Sequence, residues 1–386
     1  MRLAIFSDTY APQVNGVART LARLVGAVRA RGGDATVITV AASEADRSDG
    51  HLVRWPAVPF WAYDELSIAM PNVGEARRLL RELRPDLVHI ATPFGIGLAA
   101  RAAARTERVP IVSSFHTDFA AYLRYYRLQS LGGVAWPYLR WFHNGGTRTF
   151  APTATGAETL RRRGFTGVRV WGRGVDRAQF SPAHRSRVLR SAFGIGDADV
   201  LVTYVGRLAP EKGIDTILEA ARRVLPELGG RMRLAFVGDG PAERRCRSDA
   251  PVGTIFAGRL LGEALSEFYA SSDIFIFASQ TDTFGNVLLE AMASGLAVIA
   301  PDAGPTLEVA HEGNALLAAA DDPGAYAAAL QRLMGDASLR ARLRTRALAS
   351  AAARDWGRIW DDLFVEYSTV VRGAAGVSVT RGPITS

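Results

Sequence analysis

The one lysine of this chain, Lys212, lies in the stretch GRLAPEKGID, which also contains Arg207. Lysine and arginine together number 46, and all of them except Lys212 are arginine. The stretch begins where a strand pattern ends and a helical pattern starts. Two cations beside a helix N-terminus suit a diphosphate, and the compact ammonium of lysine suits a tight phosphate pocket. The alternative is a surface turn in which Glu211 pairs with either cation.

A pair of carboxylates lies further along, in SQTDTFGNVLLEAMASG. Asp282 falls in a predicted loop after a strand and Glu290 in the helix that follows, with seven residues between them. Apolar residues surround Glu290 in the sequence, and a buried carboxylate needs partners because an unpaired buried charge is costly. The hydroxyls of a sugar or ribose would supply them. The alternative is that Asp282 caps the helix and Glu290 interacts with its dipole. Gly285 marks the helix N-terminus as a site for an anion or a polar oxygen.

Two stretches in the first half of the chain also follow strand patterns. APQVNGVART places Asn15 and Gly16 at a turn that opens a helix, where the backbone can approach a ligand and free N–H groups can bind an anion. It lacks the GxGxxG pattern and the Lys-Ser/Thr of a P-loop, which disfavours NAD binding and ATP hydrolysis. SSFHTDFAAYLRYY places His116 at a strand end, where it either faces a ligand or is an ordinary histidine.

Strand-like runs alternate with helical patterns, and the alternation restarts after a connector at residues 173–199. This predicts two doubly wound, Rossmann-like α/β domains with parallel sheets, facing each other across a cleft. We expect a first domain at 1–175, a second at 176–355, a C-terminal helix at 356–373 that packs back on the first domain, and a frayed tail at 374–386. The predicted strands are Arg2–Asp8, Asp34–Val40, Asp86–Pro93, Pro110–His116, Val200–Arg207, Met232–Gly240, Thr254–Gly258, Asp273–Ser279 and Ala297–Asp302.

The composition narrows the class of protein. A chain of 386 residues with 48% hydrophobic and 22% charged residues is globular and long enough for two domains. The net charge of +8 suits an anionic partner, or it reflects only a genome that favours arginine. The arginines scatter rather than form a stripe, which disfavours nucleic acid. The single cysteine, Cys246, and an N-terminus that begins with a strand predict a cytoplasmic protein without a signal peptide.

Taken together, GRLAPEKG, LLEAMASG, NGVAR and FHTDF resemble the motifs of the retaining glycosyltransferases of family 4, which have the GT-B fold. The resemblance covers nearly the whole chain. Within that family, FHTDFAAYLRYYRL, WFHN and WGRGVD are similar to bacterial GDP-mannose-dependent α-mannosyltransferases, and they also resemble lipid-directed members such as sulfoquinovosyldiacylglycerol synthases. The resemblance implies a hexosyltransferase that takes a nucleotide sugar as co-substrate, GDP-mannose before others, and needs no further cofactor.

The resemblance also implies a role for each motif residue. His116, Arg207, Lys212 and Asp282 would form the catalytic group, with the two cations binding the leaving diphosphate. The implied donor-binding residues are Gly16, Val17, Gly240, Arg259, Leu260, Thr283, Phe284, Gly285, Asn286 and Glu290. The implied acceptor-binding residues are Asn15, Thr117, Tyr122 and Arg124.

One departure from the family pattern concerns the first carboxylate, because the family has Glu-x7-Glu and this chain has Asp282. The shorter side chain leaves the identity of the donor sugar open more than the activity. No covalent nucleophile is evident, which favours front-face displacement. No Asp-x-Asp stretch follows a core strand, so we expect metal-independent transfer, with the cations and helix N-termini stabilising the diphosphate.

Other interpretations stay open at this point. A UDP-sugar-dependent glucosyl- or sulfoquinovosyltransferase acting on a diacylglycerol-type lipid is the main alternative, and a sugar-nucleotide epimerase is another. A two-lobed nucleotide- or sugar-binding protein is the non-enzymatic one. The segment Tyr122–Phe150 mixes aromatic and arginine residues, which fits either two core-facing helices or a surface for an anionic membrane. Peripheral attachment to the inner face of the cell membrane is therefore a further expectation.

Overall fold

The computed structural model describes residues 1–13, 15–41, 51–59, 67–118, 132–228 and 230–379 of the chain. The chain divides into two compact units. The first domain comprises residues 1–172 and 357–386, and the second domain comprises residues 173–356. The division falls close to the boundary that the sequence predicts after residue 175.

The first domain is built on a large parallel sheet and a short antiparallel pair. Its strands are β1 (Arg2–Phe6), β2 (Asp34–Val40), β3 (Leu52–Trp55), β4 (Ala57–Pro59), β5 (Ser67–Ala69), β6 (Leu87–Ile90), β7 (Ile111–Ser114), β8 (Arg148–Ala151) and β9 (Val168–Val170). Its helices before residue 172 are α1 (Gly16–Ala30), α2 (Val73–Leu83), α3 (Gly95–Thr106), α4 (Gly132–His143) and α5 (Ala154–Arg162). The large sheet has the order β3-β2-β1-β6-β7-β8-β9, and β4 pairs with β5.

The β1–α1 unit illustrates why these residues form these elements. The four residues of β1 after Arg2 are apolar and buried, as expected of a parallel strand covered on both faces. α1 begins after Asn15, whose side-chain oxygen accepts a hydrogen bond from the N–H of Ala18 at 2.9 Å and so caps the helix. The apolar residues that α1 buries against the sheet recur at helical spacing and are Leu21, Leu24, Val25 and Val28.

The second domain repeats this architecture with a six-stranded sheet. Its strands are β10 (Val200–Val205), β11 (Met232–Val237), β12 (Ile255–Gly258), β13 (Ile274–Ile276), β14 (Ala297–Pro301) and β15 (Leu316–Ala318). Its helices are α6 (Arg187–Ala192), α7 (Ile214–Val224), α8 (Glu243–Asp249), α9 (Gly262–Ser271), α10 (Asn286–Ala293), α11 (Pro323–Gly335) and α12 (Ala337–Ala352). The strand order is β12-β11-β10-β13-β14-β15, and neighbouring strands run parallel.

Residues 173–199, which carry the connector pattern, belong to the second domain, and the boundary between the two units lies directly before them. Arg190 in α6 is buried and donates to Oδ2 of Asp273 at 3.0 Å. Its other terminal nitrogen donates to the carbonyl oxygens of Gly196 and Asp199 at 2.7 and 2.8 Å. A stretch rich in glycine and charge resembles a linker in sequence, but here a buried ion pair fixes it to the second sheet.

The C-terminal helix, α13 (Trp356–Val379), continues past residue 373, where the sequence analysis ended it. The prediction failed because a glycine inside a helix costs only about 1 kcal/mol and does not by itself end it. The helix packs on the first domain, where the hydroxyl of the buried Tyr367 contacts Nδ1 of His89 in β6. Glu366 accepts hydrogen bonds from one arginine of β8 and one of β9 at 3.0 and 3.2 Å. Residues 380–386 of the predicted tail lie outside the described ranges.

The sequence patterns located the central strands of both sheets and the edge strand β12, and missed the other outer strands and the short antiparallel pair. β2 has the predicted bounds, whereas β10 ends at Val205 rather than at Arg207. The strands without a prediction are β3, β4, β5, β8, β9 and β15. Four of these six have only three residues each, a length at which hydrophobic periodicity carries little signal.

Candidate functional site

The strand order of the second sheet makes three loops neighbours at its carboxyl edge, because β10 lies between β11 and β13. Glycines allow close backbone contacts there. A Cβ on Gly238 would lie 2.0 Å from the carbonyl oxygen of Gly206, and one on Gly213 would lie 2.5 Å from the carbonyl oxygen of Ala278. Gly238 and Gly213 also have positive φ values of 135° and 67°. The loops after β11 and β13 therefore pack directly on the loop after β10.

The loop after β10, residues 206–213, is called the cation loop here because it carries both predicted phosphate ligands. Arg207 lies just beyond β10 rather than ending it. Lys212 closes the 3-10 turn Pro210–Lys212 and precedes α7 instead of lying in its first turn. The buried Tyr204 hydroxyl donates to the carbonyl oxygen of Arg207 at 2.9 Å and holds this part of the loop in place.

Both cations of the cation loop are paired with carboxylates. Nζ of Lys212 lies 2.9 Å from Oδ2 of Asp282. Nη1 of Arg207 lies 3.8 Å from Oε1 of Glu211, whose side chain is fully buried. The sequence left open which cation Glu211 accompanies, and the structure answers that it is Arg207. Two positive charges held at fixed positions in one loop are what a diphosphate requires.

The second carboxylate, Glu290, lies in α10 and is buried. Its Oε2 accepts a hydrogen bond from the Tyr269 hydroxyl in α9 at 3.2 Å. A protein side chain therefore provides one of the partners that a buried charge needs. Gly285 caps the helix N-terminus with a φ of 83°, a conformation that favours glycine. Its neighbours among the predicted donor ligands are Thr283, Phe284 and Asn286, of which Phe284 is buried.

Hydroxyl groups join the loop that carries Asp282 to the cation loop. The side chains of Ser279 and Thr281 both donate to the carbonyl oxygen of Glu211, each at 3.4 Å. Both hydroxyl residues are buried. Two loops that lie far apart in the sequence are thus fixed to each other beside the Lys212–Asp282 ion pair.

The remaining predicted donor ligands of this domain follow β11 and β12. Gly240 has a φ of 151°, and a Cβ there would lie 2.5 Å from the carbonyl oxygen of Leu208, so this loop too is packed on the cation loop. Nη2 of Arg259 lies 2.8 Å from Oδ1 of Asp239, and both side chains are exposed. Leu260 is half-buried and packs against the core of the domain.

In the first domain, Asp8 lies two residues beyond the end of β1. The sequence analysis did not select it as a site residue. Its Oδ2 accepts a hydrogen bond from the Thr92 hydroxyl at 2.6 Å, and its Oδ1 accepts one from the N–H of Ile96 at 3.3 Å. Burial raises the pKa of the Asp8 carboxyl from 3.8 to about 6, against the opposite effect of the hydrogen bonds from Thr92 and Ile96. Asp8 links the loop after β1 to the start of α3. The signal in the sequence that could have identified Asp8 is its position, as a charged residue directly after an apolar strand.

Asn15 organises the β1–α1 loop. Besides capping α1, it donates from Nδ2 to the Thr9 hydroxyl at 2.7 Å, and that hydroxyl donates to Oε1 of Gln13 at 2.5 Å. Gly16 and Val17 are the first two residues of α1, where N–H groups lack helical partners. The predicted anion-binding backbone is therefore at a helix N-terminus, and Asn15 shapes the loop that precedes it.

His116 lies two residues beyond β7, with its ring edge-on to Trp171 at a centroid distance of 5.7 Å. Thr117 follows it and is half-buried. Tyr122 and Arg124, the other predicted acceptor ligands, lie outside the described residues. A second histidine, His143, is buried and contacts the Ser113 hydroxyl through Nδ1 at 2.8 Å. Burial lowers the pKa of His143 from 6.5 to about 3, so it is neutral near pH 7.

The described ranges contain neither a metal-binding cluster nor a membrane-spanning helix. Within them, no three or more His, Cys, Asp or Glu side chains form a group that could hold a metal ion. None of the helices there combines the length and the apolar character that crossing a membrane needs. Cys246 is buried and reduced, and burial raises the pKa of its thiol to about 11.

Comparison with known proteins identifies the class. The chain matches the profile described as Glycosyltransferase Family 4 over residues 14–179 and that of Glycosyl transferases group 1 over residues 199–336. It is 33% identical over 389 residues to the GDP-mannose-dependent alpha-mannosyltransferase of Corynebacterium glutamicum, covering 98% of this chain and 92% of that protein. It is also 34% identical to the Sulfoquinovosyl transferase SQD2 of Arabidopsis thaliana, over 66% of this chain and 49% of that protein. The chain belongs to glycosyltransferase family 4 and is a hexosyltransferase.

A solved structure shows the same fold. The sucrose-phosphate synthase of Thermosynechococcus elongatus superposes with a TM-score of 0.79, covering 96% of this chain and 99% of that one, at 19% sequence identity. Two parallel-sheet α/β domains of this kind define the GT-B fold. The fold class predicted from the sequence and the resemblance to family 4 are both confirmed.

Proposed function

We propose that this protein is a retaining mannosyltransferase that moves mannose from GDP-mannose to a hydroxyl group of a lipid or glycan. The main observation in support is the pair of fixed cations in the cation loop, Arg207 and Lys212, with Asp282 beside Lys212. Identity to a GDP-mannose-dependent alpha-mannosyltransferase over nearly the whole chain supports the choice of donor.

In the proposed complex, Arg207 and Lys212 bind the donor diphosphate. Glu290 accepts hydrogen bonds from the ribose hydroxyls, and the N–H groups at the starts of α1 and α10 contact phosphate or sugar oxygens. Asp282 accepts hydrogen bonds from hydroxyls of the transferred sugar. His116 lies by the reacting sugar and the acceptor.

The proposed step is a front-face displacement. The bond between the anomeric carbon and the diphosphate oxygen breaks, and the acceptor hydroxyl oxygen forms its bond to the same face of that carbon. The hydroxyl proton passes to the departing diphosphate oxygen. Arg207 and Lys212 stabilise the negative charge that develops there, so transfer is proposed to be metal-independent.

The alternative donor is a UDP-sugar, with glucose or sulfoquinovose transferred to a diacylglycerol-type lipid. The observation that favours it is the 34% identity to a sulfoquinovosyl transferase. Asp282 in place of the family glutamate also leaves the sugar pocket open to a hexose other than mannose.

The nucleotide is tested by a thermal-shift screen of the purified protein against GDP, UDP, ADP and their sugar conjugates. A ligand that binds only the folded state raises the melting temperature. We expect GDP and GDP-mannose to raise it more than the others. A larger shift with UDP would favour the alternative donor, and no shift with any nucleotide would contradict the proposed function.

The mechanism is tested on the product of GDP-mannose and a mannoside or glycolipid acceptor. The anomeric configuration, read by NMR before the product equilibrates, should be that of the donor. Transfer should continue in EDTA at an unchanged rate. Inversion would refute the retaining mechanism, and loss of activity that Mg²⁺ or Mn²⁺ restores would refute metal independence.

We further propose that the first domain binds an anionic membrane during transfer to a lipid. In the described part of the segment predicted to do so, Trp141 of α4 is exposed and the guanidinium of Arg101 lies over its ring at 4.0 Å. Aromatic and basic side chains of this kind suit a lipid interface. Failure to bind anionic liposomes together with full activity on a soluble acceptor would contradict this.

A further inference from the structure

The two ion pairs of the cation loop differ in how readily they can open. Glu211 lies in the same loop as Arg207, and its side chain is 0% exposed. Asp282 belongs to another loop and is 25% exposed, while its partner Lys212 is 14% exposed. The carboxylate of Glu211 cannot leave Arg207 without stranding a buried charge, whereas that of Asp282 can turn toward solvent or a ligand.

The Lys212–Asp282 pair joins two residues that the proposed function assigns to different parts of the donor. Lys212 binds the diphosphate, and Asp282 binds the transferred sugar. Their atoms nevertheless lie 2.9 Å apart, at hydrogen-bonding distance, so the carboxylate holds a position on Lys212 where a phosphate oxygen would lie.

We propose that Asp282 acts as an internal competitor of the donor diphosphate for Lys212. The donor displaces the carboxylate, which then accepts hydrogen bonds from hydroxyls of the sugar. This inference rests on the proposed function, because it requires a nucleoside diphosphate sugar as the ligand.

The exchange makes donor and product unequal ligands. A nucleotide sugar breaks the Lys212–Asp282 pair and supplies hydroxyls as new partners for the freed carboxylate. The nucleoside diphosphate left after transfer breaks the same pair and supplies no such partner. The carboxylate therefore returns to Lys212 as the sugar departs, which favours release of the product over release of the unreacted donor.

The test is the affinity of the full-length protein for GDP, measured by isothermal titration calorimetry, with UDP in parallel. Asp282→Asn keeps the shape of the side chain but weakens its interaction with Lys212. We therefore expect GDP to bind this variant about three- to tenfold more tightly than it binds the unmodified protein. In this variant the sugar hydroxyls of GDP-mannose lose the Asp282 carboxylate as a hydrogen-bond acceptor. The affinity for GDP-mannose should therefore rise less than the affinity for GDP, or fall. The preference for GDP-mannose over GDP should therefore fall.

A double-mutant cycle separates competition for Lys212 from plain repulsion between Asp282 and the phosphates. In a Lys212→Met background the gain from Asp282→Asn should vanish, because there is no ammonium left to release. Asp361→Asn is the matched control: it removes an exposed carboxylate that pairs with Arg31 at 2.6 Å in the first domain, and it should leave the affinity for GDP unchanged. Asp282→Ser serves as a second variant if Asp282→Asn lowers the melting temperature.

The outcomes are distinct. Unchanged or weaker binding of GDP by Asp282→Asn overturns the inference while the proposed function stands. A gain that persists in the Lys212→Met background overturns it as well, since the effect is then direct repulsion. Absence of any nucleoside diphosphate binding by the unmodified protein overturns the proposed function and this inference together.

Discussion

The loops after β1 and β10 occupy equivalent positions in two domains of the same architecture, but they contain different chemistry. After β1, Asp8 and Asn15 are held by hydrogen bonds to hydroxyl and N–H groups, and the pKa of Asp8 is raised by burial. After β10, Arg207 and Lys212 are held by ion pairs to carboxylates. One loop is fixed by polar contacts around a single acid, and the other by two pairs of opposite charge.

This difference indicates how one architecture can present two kinds of polar side chains. Parallel strands and glycine-rich turns decide where a ligand can approach, because they place helix N-termini and loop backbones at the carboxyl edge of a sheet. The side chains decide which ligand is stabilised. No basic residue lies between residues 7 and 15, where Arg54 of β3 donates to the carbonyl oxygen of Ala11 at 3.0 Å, whereas the cation loop contributes two cations of its own.

The largest expected effect is on the rate of sugar transfer, and it follows from removing a cation from the loop after β10. Lys212→Ala removes one of the two fixed cations, and loss of one preorganised charge at the leaving group should lower turnover by about 10²–10³-fold. Initial rates of sugar transfer from GDP-mannose measure this, with the melting temperature as a check on folding. Arg245→Ala removes an exposed cation of the same domain and should leave the rate unchanged. Near-normal activity of Lys212→Ala would mean that Lys212 is only a surface cap.

The next effect tests whether backbone contacts fix the cation loop. A methyl group on Gly238 would lie 2.0 Å from the Gly206 carbonyl oxygen, and φ there is 135°, so Gly238→Ala should lower the free energy of unfolding by roughly 3 kcal/mol. Gly194→Ala is the matched control, because Gly194 has a φ of 65° with open space around it. It should cost about 1 kcal/mol. Denaturant unfolding of both variants gives the comparison, and equal costs would show that the close approach is relieved without strain.

The dependence of the unfolding free energy on pH tests the raised pKa of Asp8 in the first domain. Because burial raises the pKa of Asp8 from 3.8 to about 6, the folded protein binds this proton more tightly than the unfolded chain does. The contribution of Asp8 to the free energy of unfolding is therefore greatest below about pH 4 and falls by roughly 2–3 kcal/mol as the pH rises through 6. Asp8→Asn lacks this change, so its stability relative to the unmodified protein should rise across that window.

The variant also controls for the opposing effect of His143. The pKa of His143 is lowered from 6.5 to about 3 by burial, so its contribution to stability is lost as the pH falls below 6.5. That contribution is present in both proteins and cancels in the difference. A difference in unfolding free energy that stays constant from pH 4 to 7 would mean that Asp8 does not titrate in this range.

The smallest effect sharpens the comparison between the domains. Asn15→Ala and Asp322→Ala each remove a helix cap, the first at α1 and the second at α11, where Asp322 accepts from the N–H of Gly324 at 2.8 Å. Each should cost about 1 kcal/mol in unfolding free energy. Only Asn15→Ala should also slow sugar transfer, because Asn15 shapes the loop after β1. An equal change in transfer rate for both would assign Asn15 a purely structural role.

The sequence by itself determined the two α/β domains, because alternating strand and helix patterns leave few ways to bury apolar faces. It also placed Arg207 and Lys212 in one loop and Glu290 in an apolar helix, since each of these follows from neighbours in the chain. It erred at the end of α13, because a short sequence window does not distinguish a glycine that a helix tolerates from one that ends it.

Only the tertiary structure determined which side chains pair with each other. Lys212 meets Asp282 across 70 residues, and Asp8 meets Thr92 across 84, because parallel strands that are distant in the chain lie side by side and bring their loops to one edge of a sheet. Tyr269 reaches Glu290 from the preceding helix, 21 residues earlier in the chain. Residue type and local pattern can indicate that a charge needs a partner, but the order of strands in the sheet determines which residue provides it.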